Sequence, residues 1–212
     1  MSRALHILAI AVIALAPNAA LAGWAEIRQM VHQADKLTDA DKREALLRKA
    51  YADALESVRR APRVSNEYLW LANAAGRLAQ AVGQKEKISL AKVVKENAER
   101  AIALDPNNGA AHMTLGAWHF YVADISWVER NLAKALFGKV PEASFATAVS
   151  HLTKALTQGV DNPIEVLWLR GRAHEALGND DKATADYRAA VNGAARSAAE
   201  QRFQARAKRK LS

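Results

Sequence analysis

The chain contains no cysteine, and this absence excludes disulfide bonds, thiolate metal sites and thiol nucleophiles. Only five prolines and ten glycines occur among 212 residues, which is too few turn-forming residues for a protein built of many short strands. Half of the residues are hydrophobic and a quarter are charged, so the chain can bury enough apolar surface to offset the entropy of folding. The composition therefore predicts a basic, all-α protein with one domain or one short array of repeats.

Long hydrophobic runs are also scarce, and the longest lies at the start of the chain. Ala4 to Ala16 follows Arg3 and precedes the helix-breaking Pro17, and this run is shorter than the ~20 residues that span a membrane. Small residues at Ala20 and Ala22 fit a signal peptidase site. We therefore predict that residues 1–22 form a cleavable secretory signal and that the protein is exported to the periplasm of a Gram-negative cell. The alternative is a retained segment that anchors the protein to the inner membrane, facing the periplasm.

The stretch from Leu167 to Ala190 has the pattern of two packed helices. Gly171 provides a small residue where the helices cross, Gly178 begins a turn, and Tyr187 lies on the apolar face of the returning helix. This stretch resembles a tetratricopeptide repeat, in which a pair of helices recurs about every 34 residues.

The same pattern of small and large apolar residues recurs upstream, at irregular intervals. About ten extra residues lie near Gln80 to Leu90 and about twenty lie between Phe120 and Ser144, compared with the regular repeat. We predict an all-α tetratricopeptide-like superhelix of about four helix pairs over residues 23–193, with an enlarged third repeat and a concave groove. A basic capping helix is predicted over residues 194–212, from Ala194 to about Lys210.

The enlarged third repeat contains an apolar helical stripe that has no assigned packing partner, formed by Ile125, Val128, Leu132 and Leu136. Such a stripe must either cover the groove or line it, because leaving large apolar side chains in water is costly. If it lines the groove, the predicted ligand contacts are two aromatic and three basic side chains: Trp127, Arg130, Lys134, Phe137 and Lys139.

Three motifs in this region carry a family resemblance: Gly116-x-Trp118, Ser126-Trp127-x-x-Arg130 and Ala133-x-x-Leu136-Phe137-Gly138. With them the chain resembles the regulator of microtubule dynamics family, whose tetratricopeptide-like domain carries such an insert. The resemblance implies a binding module, because eukaryotic members are described as microtubule-associated and one is a tether whose repeat domain binds and transfers phospholipids. An exported protein meets no microtubules, so a groove for a phospholipid or a partner segment is the property expected to transfer.

The sequence shows no catalytic or cofactor motif: it lacks a glycine-rich phosphate loop, His-Glu-x-x-His and Gly-x-Ser-x-Gly. We therefore expect no enzymatic activity, no catalytic residues and no cofactor. His112, His119 and His174 lack a carboxylate at metal-binding spacing and are interpreted as structural, with no metal site. Trp70, Trp118 and Trp168 are predicted to pack between repeats.

The basic excess is concentrated near the C-terminus, where six basic residues accompany the single acid Glu200: Arg196, Arg202, Arg206, Lys208, Arg209 and Lys210. This segment is either a solubilising cap or a surface for anionic lipid headgroups. Nucleic acid is not expected as a partner of an exported protein.

Two functions remain open from the sequence. The first is a non-enzymatic periplasmic scaffold that binds a segment of a partner protein in its concave groove. The alternative is a phospholipid-binding or lipid-transfer protein with an apolar groove lined by the insert.

Overall fold

The computed structural model of the chain describes residues 23–138 and 142–212, without the side chains of Trp127, Val128, Leu136 and Phe137. The predicted signal segment, residues 1–22, and the candidate ligand residue Lys139 lie outside the described residues.

All regular structure in the described residues is helical, as predicted. The ten helices are α1 Trp24–Ala34, α2 Ala40–Arg60, α3 Ser65–Leu78, α4 Gln84–Leu104, α5 Gly109–Ala123, α6 Trp127–Phe137, α7 Phe145–Gln158, α8 Pro163–Ala176, α9 Asp180–Asn192 and α10 Ala198–Lys210. Within this part of the chain no helix is both long and apolar enough to cross a bilayer.

The helices pack as four pairs, α1 with α2, α3 with α4, α5 with α7, and α8 with α9. The helix α6 is inserted within the third pair, which confirms the tetratricopeptide-like architecture with an enlarged third repeat. The extra residues near Gln80 to Leu90 extend α4 to 21 residues rather than enlarging a loop.

The capping helix α10 begins at Ala198, four residues later than the predicted Ala194. Ser197 sets this start, because its hydroxyl accepts a hydrogen bond from the backbone N–H of Glu200 at 3.2 Å. The buried carboxylate of Glu200 in turn accepts a hydrogen bond from the backbone N–H of Arg196 at 2.6 Å. Two backbone N–H groups at the start of the helix therefore have side-chain partners.

Glycines bring the helices of the third and fourth pairs into close contact. A Cβ atom added to Gly171 of α8 would lie 2.6 Å from Cε1 of Tyr187 in α9, and one added to Gly116 of α5 would lie 2.8 Å from Cγ of Leu152 in α7. Trp118 and Trp168 are buried in the core, whereas Trp70 is only partly buried. Trp70 nevertheless packs against the core between the first repeats, so the predicted packing of all three tryptophans is observed.

The first helices of the four pairs form a row, α1–α3–α5–α8, and α10 extends it past α8. The guanidinium of Arg28 in α1 donates to the carboxylate of Asp161, just before α8, at 3.0 Å. Because α3 and α5 lie between these helices in the row, the contact requires the row to curve strongly. The first helices therefore line the concave side of the array.

Candidate functional site

The concave groove carries charged side chains from several elements at once. Arg77 in α3, Arg206 in α10 and Asp35 after α1 all influence the carboxylate of Glu165 in α8. Asp35 and Arg77 also form an ion pair of 3.6 Å. These elements therefore face a common space, although they are far apart in the sequence.

Glu165 is placed by the start of α8. Its backbone N–H donates to Oδ1 of Asn162 at 3.1 Å, and Nδ2 of Asn162 donates back to the Glu165 carboxylate at 2.9 Å. Burial raises the pKa of Glu165, Asp35 raises it further, and Arg77 and Arg206 oppose the shift. The groove thus has a carboxyl group that is partly desolvated, with basic groups nearby.

Tyr121 marks the middle of the groove. It lies in the last turn of α5, and 53% of its surface is exposed, which makes it one of the few large exposed side chains with apolar character. The pKa of Tyr121 is raised by burial of its hydroxyl and by Glu165, while Arg206, Arg77 and Arg172 act in the opposite direction. An exposed aromatic side chain with a polar end suits a contact residue in a concave surface.

An open cavity of about 520 Å³ forms the C-terminal end of the groove, between α8 and α10. Its lining residues are one aromatic and four basic side chains, Trp168, Arg172, Arg206, Arg209 and Lys210. We call this space the basic cavity. Its volume lies in the range of ligand-binding clefts, and its lining favours an anion with an apolar neighbour.

A second and smaller cavity, of about 190 Å³, lies near the first turn of α8 and the α9–α10 connection. Its lining combines apolar residues such as Ile164 and Leu167 with Arg196 and Glu200. This space is large enough for one side chain rather than for a lipid tail.

Of the candidate residues of the insert, the two with described side chains, Arg130 and Lys134, do not line either cavity. Arg130 is partly buried and Lys134 is exposed on α6, whereas the side chains of Trp127 and Phe137 lie outside the described part of the chain. The start of α6 is a capping box in which Ser126 accepts from the backbone of Glu129, and Nζ of Lys87 lies 3.8 Å from the Glu129 carboxylate. The assignment of ligand contacts to the insert stays a prediction.

A stack of three histidines connects α5 with α7. The ring of His151 lies 5.2 Å from that of His112 and 5.9 Å from that of His119. Sequence reasoning considered His112 and His119 and missed His151. The alignment of α7 with α5 could have located His151, because it directly precedes Leu152, which packs on Gly116.

The stack does not suit a metal ion, and none of the groups of histidine and acidic residues in the described ranges has a metal-binding arrangement. His112 Nε2 lies 3.1 Å from the carbonyl of Pro106, so it carries the proton and donates. Nδ1 of His112 then accepts from Nδ1 of His151, 2.9 Å away. His112 and His151 are therefore joined by a hydrogen bond that requires His112 to be neutral, whereas His119 contacts His151 only by stacking.

The comparisons with known proteins agree with this architecture. The family model described as regulator of microtubule dynamics protein 1–3 matches residues 17–212. Regulator of microtubule dynamics protein 3 of Xenopus laevis is 27% identical over 144 residues, covering 67% of this chain and 31% of that protein. Protein 1 of Mus musculus is 27% identical over 142 residues, covering 67% of this chain and 47% of that protein. The chain thus spans less than half the length of these curated relatives.

A solved structure gives an independent comparison of the fold. The crystal structure of a thermophilic TPR protein of Thermus thermophilus superposes with a TM-score of 0.50 at 16% sequence identity. The match covers 87% of this chain and 98% of that chain. At this identity the likeness concerns the fold alone.

Proposed function

The chain belongs to the regulator of microtubule dynamics protein 1–3 family, and on that premise we propose that it is a non-enzymatic scaffold whose concave groove binds a segment of a partner protein. Arrays of helical repeats bind partners in this way because the curved row of first helices presents one continuous surface. The absence of activity is part of the proposal. It is supported by a groove whose described residues are placed for charge pairing rather than for nucleophilic attack.

The observation that carries the proposal is the polarity of the groove. The groove presents Arg77, Tyr121, Glu165 and Arg206, and these are groups that hydrogen-bond to backbone and side chains of an extended segment. An acyl chain would bury these charges without a partner, and a charge buried in this way is costly. The groove therefore favours a peptide over a phospholipid tail.

We also propose that the protein acts in the periplasm after removal of residues 1–22, as the apolar run and the Ala20-Leu21-Ala22 site indicate. The expected mature chain begins at Gly23, next to α1. Intact-mass measurement of the protein from its native host tests this. A mass that retains residues 1–22 would contradict cleavage, and it would support the anchored alternative.

Site-specific photocrosslinking tests the groove as the binding surface. A photoreactive phenylalanine analogue at Tyr121 should form a discrete adduct with one protein, identified by mass spectrometry, because this ring is open to the groove. The matched control is the same analogue at Ala52, an exposed position on α2 in the second-helix layer. Adducts of equal yield at Ala52, or none at Tyr121, would refute the proposal.

The same crosslinking assay examines the insert. If Arg130 and Lys134 contact the partner, Arg130→Glu combined with Lys134→Glu should abolish the Tyr121 adduct while the helical circular dichroism and the melting point stay unchanged. Retention of the adduct would remove these residues from the binding site. Native mass spectrometry that shows bound phospholipid in place of a protein adduct would favour the lipid-carrier alternative.

A further inference from the structure

We propose that the basic cavity between α8 and α10 is the subsite that selects the partner, and that it binds an acidic segment with an adjacent apolar side chain. This inference rests on the proposed function and specifies the chemistry of the bound segment. The charge of the cavity, the positioning of its side chains and its continuity with the groove support it.

The cavity contains more positive charge than its neighbours neutralise. Glu175 forms ion pairs with two of the side chains that line the cavity. Nζ of Lys210 lies 2.7 Å from its Oε1, and Nε of Arg172 lies 3.4 Å from its Oε2. In the described part of the chain Arg206 and Arg209 form no ion pair. Two guanidinium groups are therefore available to carboxylates of a ligand, which they can bind through paired hydrogen bonds.

The side chains around the cavity are positioned rather than free. Glu175 accepts hydrogen bonds from both Lys210 and the hydroxyl of Tyr187, and Lys210 is the largest cause of its lowered pKa, so it remains ionised. The guanidinium of Arg172 lies 5.6 Å from the ring centre of Trp168 and 5.8 Å from that of Phe120. A rigid arrangement reduces the entropy lost when a ligand binds.

The helix that supplies three of the cations is anchored to the repeat array. Ala207 of α10 is fully buried, and Nε2 of Gln204 donates to the carbonyl oxygens of Val191 at 3.1 Å and Gly193 at 2.5 Å. These carbonyls lie at the end of α9, where helix geometry leaves them without partners inside the helix. The position of Arg206 and Arg209 is thereby fixed relative to α8.

The cavity is continuous with the rest of the groove. The guanidinium of Arg172, which lines the cavity, lies 5.8 Å from the ring centre of Phe120 in α5, and the ring centres of Phe120 and Tyr121 are 5.4 Å apart. A segment that lies along the groove past Tyr121 therefore reaches the cavity. There its carboxylates meet Arg206, Arg209 and Lys210, and an adjacent apolar side chain contacts the 8% of the Trp168 surface that stays exposed.

The size of the cavity favours a peptide segment over a small inorganic anion as its occupant. The cavity is open to solvent over much of its boundary, and its volume of about 520 Å³ is larger than an inorganic phosphate needs. The polar groove beyond the cavity is unsuited to acyl chains. Arginine and lysine side chains bind carboxylates and phosphates alike, and we assign the cavity to the carboxylates of a protein segment.

Charge reversal at the cavity provides the test. Fluorescence anisotropy of a labelled peptide, made of glutamates with one central phenylalanine, should show binding to the full chain. Arg206→Glu combined with Arg209→Glu should weaken that binding by at least roughly tenfold, because two carboxylate-binding groups become repulsive. A peptide with glutamine in place of glutamate should not bind.

The matched control produces the same change in net charge on the same helix. Arg202→Glu combined with Lys208→Glu also replaces two exposed basic residues of α10, one of them in the last turn, and neither residue lines the cavity. This pair should retain most of the binding. If reversal weakens folding in either pair, the corresponding glutamine variants repeat the comparison at a smaller change in charge.

Four results would overturn the assignment. Equal weakening by both pairs would show a general effect of net charge, and full binding by the cavity variant would place the peptide elsewhere. Binding of phosphatidylglycerol vesicles that depends on Arg206 and Arg209, without peptide binding, would assign the cavity to lipid headgroups. A Tyr121 adduct that persists in the cavity variant would leave the proposed groove function intact while refuting this subsite.

Discussion

Replacement of Gly171 by leucine is expected to destabilise the last repeat by on the order of 1–3 kcal/mol, because it overpacks the crossing of α8 and α9. Even a methyl group at this position would lie 2.6 Å from Cε1 and 2.9 Å from Cδ1 of Tyr187. Tyr187 cannot move aside easily, since it is buried and its hydroxyl donates to Glu175 at 2.9 Å. Thermal unfolding should show the melting temperature falling by roughly 2–4 °C for each kcal/mol.

Gly76 provides the matched control for this substitution. It also lies within a first helix, α3, but a Cβ added there would lie 3.6 Å from Cγ2 of Val94, which is an ordinary contact. Gly76→Ala should therefore leave stability unchanged or raise it by up to about 1 kcal/mol, since alanine favours the helix. An unchanged melting temperature for Gly171→Leu would show that α8 and α9 are not packed as described.

Acidification from pH 7 to pH 5 is expected to destabilise the protein through the histidine stack. Burial is the main cause that lowers the pKa of His151 to about 4, with His112, His119 and Lys154 acting in the same direction and Glu99 opposing. The pKa values of His112 and His119 are lowered mainly by burial as well. Protonation of both His112 and His151 would also place two N–H groups against each other at Nδ1.

The sign of this effect follows from proton linkage. Because the folded pKa of His151 lies below the unfolded value of 6.5, the unfolded chain binds protons more readily. The contribution of neutral His151 to the free energy of unfolding is fully present above the unfolded pKa, and it is lost as the pH drops through 6.5 towards 4. His151 alone should cost about 1–2 kcal/mol between pH 7 and pH 5, since solvent screening of the partly buried ring reduces the full linkage effect. Urea unfolding at each pH measures this change.

His151→Asn is the control for the pH effect. The asparagine amide can replace the Nδ1 donor to His112 but does not titrate, so the fall in stability between pH 7 and pH 5 should become smaller. His32 and His174 also have pKa values lowered by burial, so a residual fall is expected. An equal fall in the variant and the original chain would exclude His151 as its cause.

The sequence by itself determined the helical pairs. Small residues such as Gly116 and Gly171 occur where helices cross, and the spacing of Ala148, Leu152 and Ala155 produces one buried face, so local periodicity was sufficient to predict these elements. The capping sequence before α6 and the family motifs likewise depend on residues close together in the chain. For these features the information is local, and the structure confirmed the all-α repeat.

The surface proposed for binding depends on the tertiary structure. The sequence placed the candidate ligand contacts in the insert, because its apolar stripe had no partner, and it assigned Arg206 and Arg209 to a basic segment that is either a solubilising cap or a surface for anionic lipid headgroups. Packing of α10 against α8 and α9 forms the basic cavity, and packing of α5 against α8 places Phe120 and Tyr121 beside it. No local pattern records these contacts, because they depend on how each helix packs against neighbours that are distant in the sequence.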